Sequence, residues 1–330
     1  YLAEFKETMS SRLHQSLHSV ISQQEQWALD GSGLGLSGDV LSEILHHSQW
    51  AHAKCQTFYG REHLIEQVIQ LIDSPHRKVE KRTDKYLYLR RFQGVAASVV
   101  GVSGAGKTAL MAKIASVIYI RDQENKSRAV LVRFCGTSPG SRNARSLMIS
   151  LIAQIEYLFN VEDRKSTEEL SNYNYEKVVS YFHRLLKEHP VLLFVDSLDQ
   201  LTDEDLGRSE ISFLKNVDPH PDTRIIVSCL PDEFETTESK SINARSYLYL
   251  CETRLKEAEV PRVEVQMSSD DSKAEEEVMG IVRHLLSQQG RTLNERQWAF
   301  VRDRLMKETE KTALYTNLAV RVLSQWTSET

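Results

Sequence analysis

Short apolar runs alternate with amphipathic stretches along most of this chain of 330 residues. Five runs predict strands: Val95–Val100, Ala129–Cys135, Val191–Val195, Arg224–Cys229 and Arg262–Met267. The first is short, apolar and rich in β-branched residues, which is the pattern of a strand buried on both faces. Helical periodicity separates the runs. Leu110, Ile114 and Val117 mark one helix within residues 109–118, and residues 141–158, 174–188 and 203–216 predict three more. Such alternation predicts a parallel sheet of five strands with helices on both faces.

The flanks read differently. In residues 1–29, Leu2, Phe5, Met9, Leu13, Leu17, Val20 and Ile21 form one stripe of an amphipathic helix. That stripe packs either on the main domain or on a partner, a second copy included. Residues 30–38 form a Gly-rich linker. Within it Gly33, Gly35 and Gly38 match G-x-G-x-x-G, but no strand precedes them, so the dinucleotide reading fails its context. A helix is expected from Asp39 to Lys54 with Asp39 as N-cap. Another is expected at 62–73, after Phe58-Tyr59-Gly60-Arg61-Glu62. The basic stretch 77–91 reads as a solvated connection, with a nucleic-acid or lipid contact as the alternative. Beyond residue 268 no strand is expected. Ser268-Ser269-Asp270-Asp271 caps a helix running through Glu275–Ser287, and helices follow at 294–307 and 312–326. The pattern divides the chain into an N-terminal helical segment (1–56), an α/β domain (57–267) and a small helical domain (268–330).

Composition narrows the class. The net charge of -5 gives no overall case for nucleic acid as a partner, and no apolar run reaches the length of a membrane span. Cys55, Cys135, Cys229 and Cys251 are scattered without a C-x-x-C pair, which suggests neither a zinc site nor a disulfide framework and fits a reducing, cytoplasmic setting. Adjacent His46 and His47 project in different directions and make a poor chelate. The chain begins with Tyr1 and shows no signal peptide, so it is expected to be a segment of a longer protein.

The chemistry is concentrated in Gly101-Val102-Ser103-Gly104-Ala105-Gly106-Lys107-Thr108, which satisfies G-x-x-x-x-G-K-[ST] between a strand and a helix. Gly101, Ser103, Gly104, Ala105, Gly106, Lys107, Thr108 and Ala109 are the candidate phosphate-binding set. Backbone N–H groups close on a polyphosphate at the positive end of the helix dipole. Lys107 adds a point charge and the Thr108 hydroxyl is a ligand for magnesium. Downstream, Val191-Leu192-Leu193-Phe194-Val195-Asp196 is an apolar strand ending in a carboxylate, and a strand beside the phosphate-loop strand would aim Asp196 at the magnesium shell, through water. Asp199 is a candidate to orient or deprotonate an attacking water. Ser228, at the end of a later strand, is a candidate γ-phosphate sensor or a serine bonded only to backbone. No guanine-reading N-K-x-D pattern stands at a suitable position, which favours adenine.

Taken in order, these pieces resemble the STAND class of P-loop signalling ATPases within the AAA+ group. More narrowly they resemble the NACHT-type modules of nephrocystin-3, telomerase-associated protein 1 and the NACHT–WD-repeat proteins. Tyr59-Gly60-Arg61-Glu62, Gly101–Thr108, Arg133-Phe134-Cys135-Gly136-Thr137-Ser138-Pro139 with Arg145-Ser146-Leu147, Val191–Gln200, Gly290–Asn294 and Leu314-Tyr315 carry the resemblance. It implies a module that binds Mg-ATP or ADP between the nucleotide domain and the helical domain. Nucleotide state there controls opening or oligomerisation, and repeats outside the module recruit other proteins. Tyr59, Gly60 and Arg61 would line the adenine pocket. The setting would be cytoplasmic, or ciliary for a nephrocystin-3-like protein. Three departures from the family's pattern imply slow hydrolysis and weaker adenine-side contacts: Gln200 stands where a glutamate is common, the strand Arg224–Cys229 lacks a terminal arginine, and Ala313 stands where relatives commonly place a proline against the nucleotide. The alternative is a nucleotide-stabilised interaction scaffold with negligible turnover.

Overall fold

A computed structural model describes residues 36–76, 92–123, 128–232, 250–267, 270–307 and 312–325. The expected helix at 1–29, most of the linker at 30–38 and the basic stretch 77–91 lie outside the described residues.

Five strands, β1 (Val95–Val100), β2 (Ala129–Phe134), β3 (Val191–Asp196), β4 (Arg224–Cys229) and β5 (Arg262–Glu264), form one parallel sheet in the order β2-β3-β4-β1-β5. Side chains alternate between two buried faces, as the period-2 geometry of a strand requires. Leu193 and Val195 of β3 join one apolar cluster, and Leu192 and Phe194 join the other. Helices α1 (Gly38–Gln56), α2 (Glu62–Asp73), α3 (Lys107–Gln123), α4 (Ala144–Leu158), α5 (Thr167–Asn172), α6 (Tyr175–Glu188) and α7 (Cys251–Glu257) surround the sheet. Leu64, Val68 and Ile72 of α2 cover one face with Leu110, Ile114 and Ile118 of α3. Leu147 and Leu151 of α4 cover the other with Phe182 and Leu185 of α6. Truncating a core residue such as Phe182 to Ala would cost roughly 3–5 kcal/mol. This is the five-stranded parallel sheet with flanking helices that the alternating pattern predicted.

After β5 the chain leaves the sheet and forms α8 (Asp271–Gln288), α9 (Glu295–Lys307) and α10 (Ala313–Leu323). They enclose a separate apolar core built from Val278, Val282, Leu286, Val301, Leu305 and Val320. Asp270 caps α8 through the backbone N–H groups of Ser272 and Lys273, and Thr312 caps α10 through that of Tyr315.

Four expectations need correction. Ser37, not Asp39, caps α1, taking the backbone N–H of Val40 at 3.5 Å, while Asp39 sits in the first turn facing the helix dipole. Residues 203–216 are not a helix. They form two short 3-10 turns, Glu204–Leu206 and Ser212–Leu214, because Asp205, Leu206, Ile211 and Asn216 take positive φ. The last strand stops at Glu264, because that residue pairs with Val100, where β1, its neighbour in the sheet, ends. And β3 does not lie beside β1: the fully buried β4 separates them. At the opposite edge α1 covers β2, where His47 Nδ1 accepts the backbone N–H of Phe134 at 3.2 Å.

Candidate nucleotide-binding site

The loop between β1 and α3 runs along the C-terminal edge of the sheet, and α3 begins at Lys107. Lys107 is nearly buried, and its Nζ donates to the carbonyls of Gly101 (2.6 Å) and Val102 (3.1 Å). Burial holds its pKa below the usual lysine value, against the opposing charges of Asp199 and Asp196. The next residue, Thr108, donates from Oγ1 to Asp196 Oδ2 at 2.7 Å.

Asp196 is only 1% exposed, so its charge depends on its partners. Ser228 Oγ donates to Oδ1 at 2.6 Å, and Ser197 Oγ donates to Oδ2 at 3.1 Å. Burial pushes the carboxyl up from the ordinary aspartate range, while the hydroxyls of Ser228, Thr108 and Ser197 and the charge on Lys107 pull it back. Ser228 Oγ also accepts the backbone N–H of Ser197 at 2.8 Å, which holds Ser197 in the left-handed region (φ 61°, ψ 56°). The insertion of β4 between β1 and β3 therefore has a chemical use. Its penultimate residue, Ser228, spans the gap and fixes the carboxylate. Ser228 is fully buried and belongs to the support of Asp196, not to the cleft lining.

Asp199 stands at the cleft. Its Oδ1 accepts the backbone N–H of Leu230 at 3.0 Å and its Oδ2 accepts Gln200 Nε2 at 2.6 Å. The cleft has a volume of about 290 Å³. Of the residues expected from sequence, Tyr59, Arg61, Ser103, Gly104, Gly106, Lys107, Thr108, Ala109 and Asp199 line it. Gly60 is not part of the lining, and Gly101, Ala105 and the buried Asp196 lie behind it: Gly101 packs on the Val265 backbone, Ala105 in the core beneath, and Asp196 behind Thr108.

The helical unit closes the far side. Leu314 N donates to the Gly104 carbonyl at 3.0 Å, and a Cβ on Gly104 would stand 2.9 Å from the Leu314 Cβ. Gly104 also takes φ 76°, so both close approach and conformation demand glycine here. Ala313, Leu314 and Asn317 of α10 and Ile281 of α8 line this wall. Sequence reasoning missed Lys54, Thr57, Ile281 and Asn317. Asn317 follows Ala313 by one helical turn and could have been found from that spacing. Nothing in the local pattern marks Lys54, which closes α1.

Arg61 reaches furthest. It sits at the start of α2 in the left-handed region (φ 62°, ψ 31°), a strain of order 1–3 kcal/mol for a non-glycine residue. Its guanidinium donates to Glu277 of α8, to the Ala105 carbonyl and to Met267 Sδ (3.2 Å).

The donor chemistry fits magnesium. A hydroxyl and a carboxylate oxygen meet beside the loop, both hard oxygen ligands. Among the described residues no group of three or more His, Cys, Asp or Glu side chains could hold a metal. The ion would depend on Thr108, Asp196 and the phosphate oxygens.

Residues 96–248 match the family model of the NACHT domain. No curated protein matches the chain. Solved structures with a related trace include domain III of the Thermotoga maritima replication initiation protein DnaA (13% identity, 82% of this chain, 87% of that chain, TM-score 0.41). AMPPCP-bound DnaA from Aquifex aeolicus is also similar (13% identity, 81% of this chain, 61% of that chain, TM-score 0.42). So is C. elegans PCH-2 (13% identity, 83% of this chain, 65% of that chain, TM-score 0.44). The chain spans less than two thirds of the length of the last two. Among the described residues no helix is long and apolar enough to cross a membrane. The phosphate loop, Asp196 and Ser228 all fall inside the stretch that is similar to the NACHT domain, a P-loop NTPase domain.

Proposed function

We propose that this chain is a nucleotide-operated switch that binds Mg-ATP or ADP in the cleft between the sheet and the helical unit, hydrolyses ATP slowly, and couples nucleotide state to the position of α8–α10. The observation that supports it best is convergence. The phosphate loop, Thr108 with the buried Asp196 behind it, and the start of α10 meet at one cleft. Lys54, Arg61 and Lys107 give its lining a cationic balance against Asp199, which suits a polyphosphate.

In this reading Lys107 and the loop N–H groups hold the phosphates, and Thr108 with Asp196 holds the magnesium shell. Magnesium, when bound, neutralises charge on the phosphate oxygens. Asp199 accepts or orients a proton of the attacking water. Two hydrogen bonds already occupy its oxygens and compete with a water for them, which is consistent with slow turnover. Tyr59 and Arg61 border the base side. The likeness to nephrocystin-3, telomerase-associated protein 1 and NACHT–WD-repeat proteins, a cytoplasmic setting, self-association and recruitment of other proteins through repeats outside this stretch belong to the same proposal.

A second reading, a nucleotide-stabilised scaffold with negligible turnover, is favoured by one observation: Gln200 presents an amide to Asp199 where a glutamate would present a second carboxylate. Steady-state turnover of wild type, Lys107→Ala and Asp199→Asn separates the two. Slow ATP hydrolysis lost in both variants supports the switch. Tight nucleotide binding with no turnover in wild type supports the scaffold.

A further inference from the structure

The segment from Gln56 to Arg61 lies along one stripe of α8. The Gln56 carbonyl accepts Gln288 Nε2 (2.6 Å) and bonds His284 Nε2 (3.4 Å). The Tyr59 ring packs on that of His284, with centroids 5.2 Å apart, and occupies the space over Gly280 that a Cβ would need. Arg61 Nε donates to Glu277 Oε1. Glu277, Gly280, His284 and Gln288 recur at helical spacing, so a single face of α8 receives the whole segment. The other end of the Arg61 guanidinium grips the Ala105 carbonyl inside the phosphate loop. One planar group thus joins the loop to the helical unit. The Arg61 side chain is 5% exposed and that of Glu277 18%, so the pair is largely screened from water.

We propose that Arg61 is a positioning residue for the phosphate loop and that Glu277 of the helical unit sets it. A guanidinium presents its donors in a rigid fork. With Nε fixed on Glu277, one terminal nitrogen points at the Ala105 carbonyl. Without Glu277 a nearly buried cation loses its counter-charge and must reorient, releasing the loop. Docking of α8 and the shape of the phosphate loop are then one event. Nucleotide affinity depends on a carboxylate that does not line the cleft. The inference rests on the nucleotide-binding reading and adds the route by which the helical unit senses the loop.

The test is a double-mutant cycle on the full chain, with ADP titrated in the presence of magnesium. Glu277→Gln is expected to weaken ADP binding about tenfold, a coupling within the range seen for residues in direct contact. Arg61→Gln is expected to weaken it at least as much, and the double variant no further than Arg61→Gln alone. Glu277→Asp, which keeps the charge, is expected to stay within about threefold of wild type, and the exposed neighbour Glu276→Gln to match it. Melting is followed with and without ADP. A Glu277→Gln protein that melts lower in both conditions yet binds ADP like wild type would overturn the proposal, as would additive losses in the cycle. Failure of wild type itself to bind ADP would overturn the underlying reading, and is told apart because no variant is needed to see it.

Discussion

Asp196 is a carboxylate that a core strand delivers to the sheet edge and three hydroxyls make tolerable there. Ser228 matters most among them, since its oxygen serves both Asp196 and the Ser197 N–H. Ser228→Ala removes the Asp196 Oδ1 donor and the acceptor of the half-buried Ser197 N–H, leaving Asp196 only the hydroxyls of Thr108 and Ser197. It is expected to lower stability by about 1–3 kcal/mol in urea unfolding and to weaken nucleotide binding more in the presence of magnesium than in its absence. His47 provides a second residue-scale prediction. Burial holds its pKa below 6.5, against the hydrogen bond to Glu43, with Arg133 and His46 also pressing it down. Glu43 is raised by burial but held below the usual glutamate value by its hydrogen bonds to His47 and Ser138, so it stays ionised. A depressed folded pKa means that the unfolded chain takes the proton first. Stability from His47 is therefore complete above 6.5 and is lost as pH falls from there towards the folded value. His76 and His183, also depressed by burial, act in the same direction. Denaturation midpoints measured from about pH 7.5 to about pH 5 should fall, and His47→Gln should flatten that slope. At this scale the meeting of Thr108 and Asp196 was legible, Thr108 from the G-x-x-x-x-G-K-[ST] spacing and Asp196 from the apolar strand that ends in it. The support given by Ser228 was not, because it depends on which strand lies between β1 and β3, and strand order is not written in local sequence.

Among elements, α8 is the one on which the cleft depends. Gly280 interrupts its apolar face where the Tyr59 ring needs the room. Gly280→Ala would favour an isolated helix, yet here it is expected to destabilise the docked helical unit by about 1–3 kcal/mol through overpacking. Limited proteolysis within α8–α10 should report this as faster cleavage, relieved by Tyr59→Ala. The helix boundaries themselves were readable: the expected 62–73 is α2 (Glu62–Asp73), and Asp270 caps α8 as the Ser-Ser-Asp-Asp cluster suggested. The failure at 203–216 has a local cause. Asp203 accepts the Ser209 N–H at 2.8 Å, and left-handed residues follow, so side-chain and backbone turns replace a helix that hydrophobic spacing alone predicted. Helix α7 went unpredicted; it is seven residues long, too short for periodicity to declare itself.

For the whole molecule, the site is shared between two cores. The NACHT match ends at residue 248, so it supplies the phosphate loop and Asp196 but neither Tyr59–Arg61 nor α10. Those pieces close the cleft from outside the matched stretch. That division suits a switch: a ligand held by both units favours their closed arrangement by as much as it prefers that arrangement. The alternation of strands and helices made the sheet legible. The placement of Leu314 over Gly104 was not, because it joins residues two hundred positions apart in order of magnitude. The most direct test is calorimetric titration of ATP and ADP, with magnesium, into wild type and Lys107→Ala. Saturable binding to wild type that is lost in Lys107→Ala, with both chains folded by circular dichroism, is the predicted result. Absence of binding to wild type, or equal binding by the two proteins, would contradict the account.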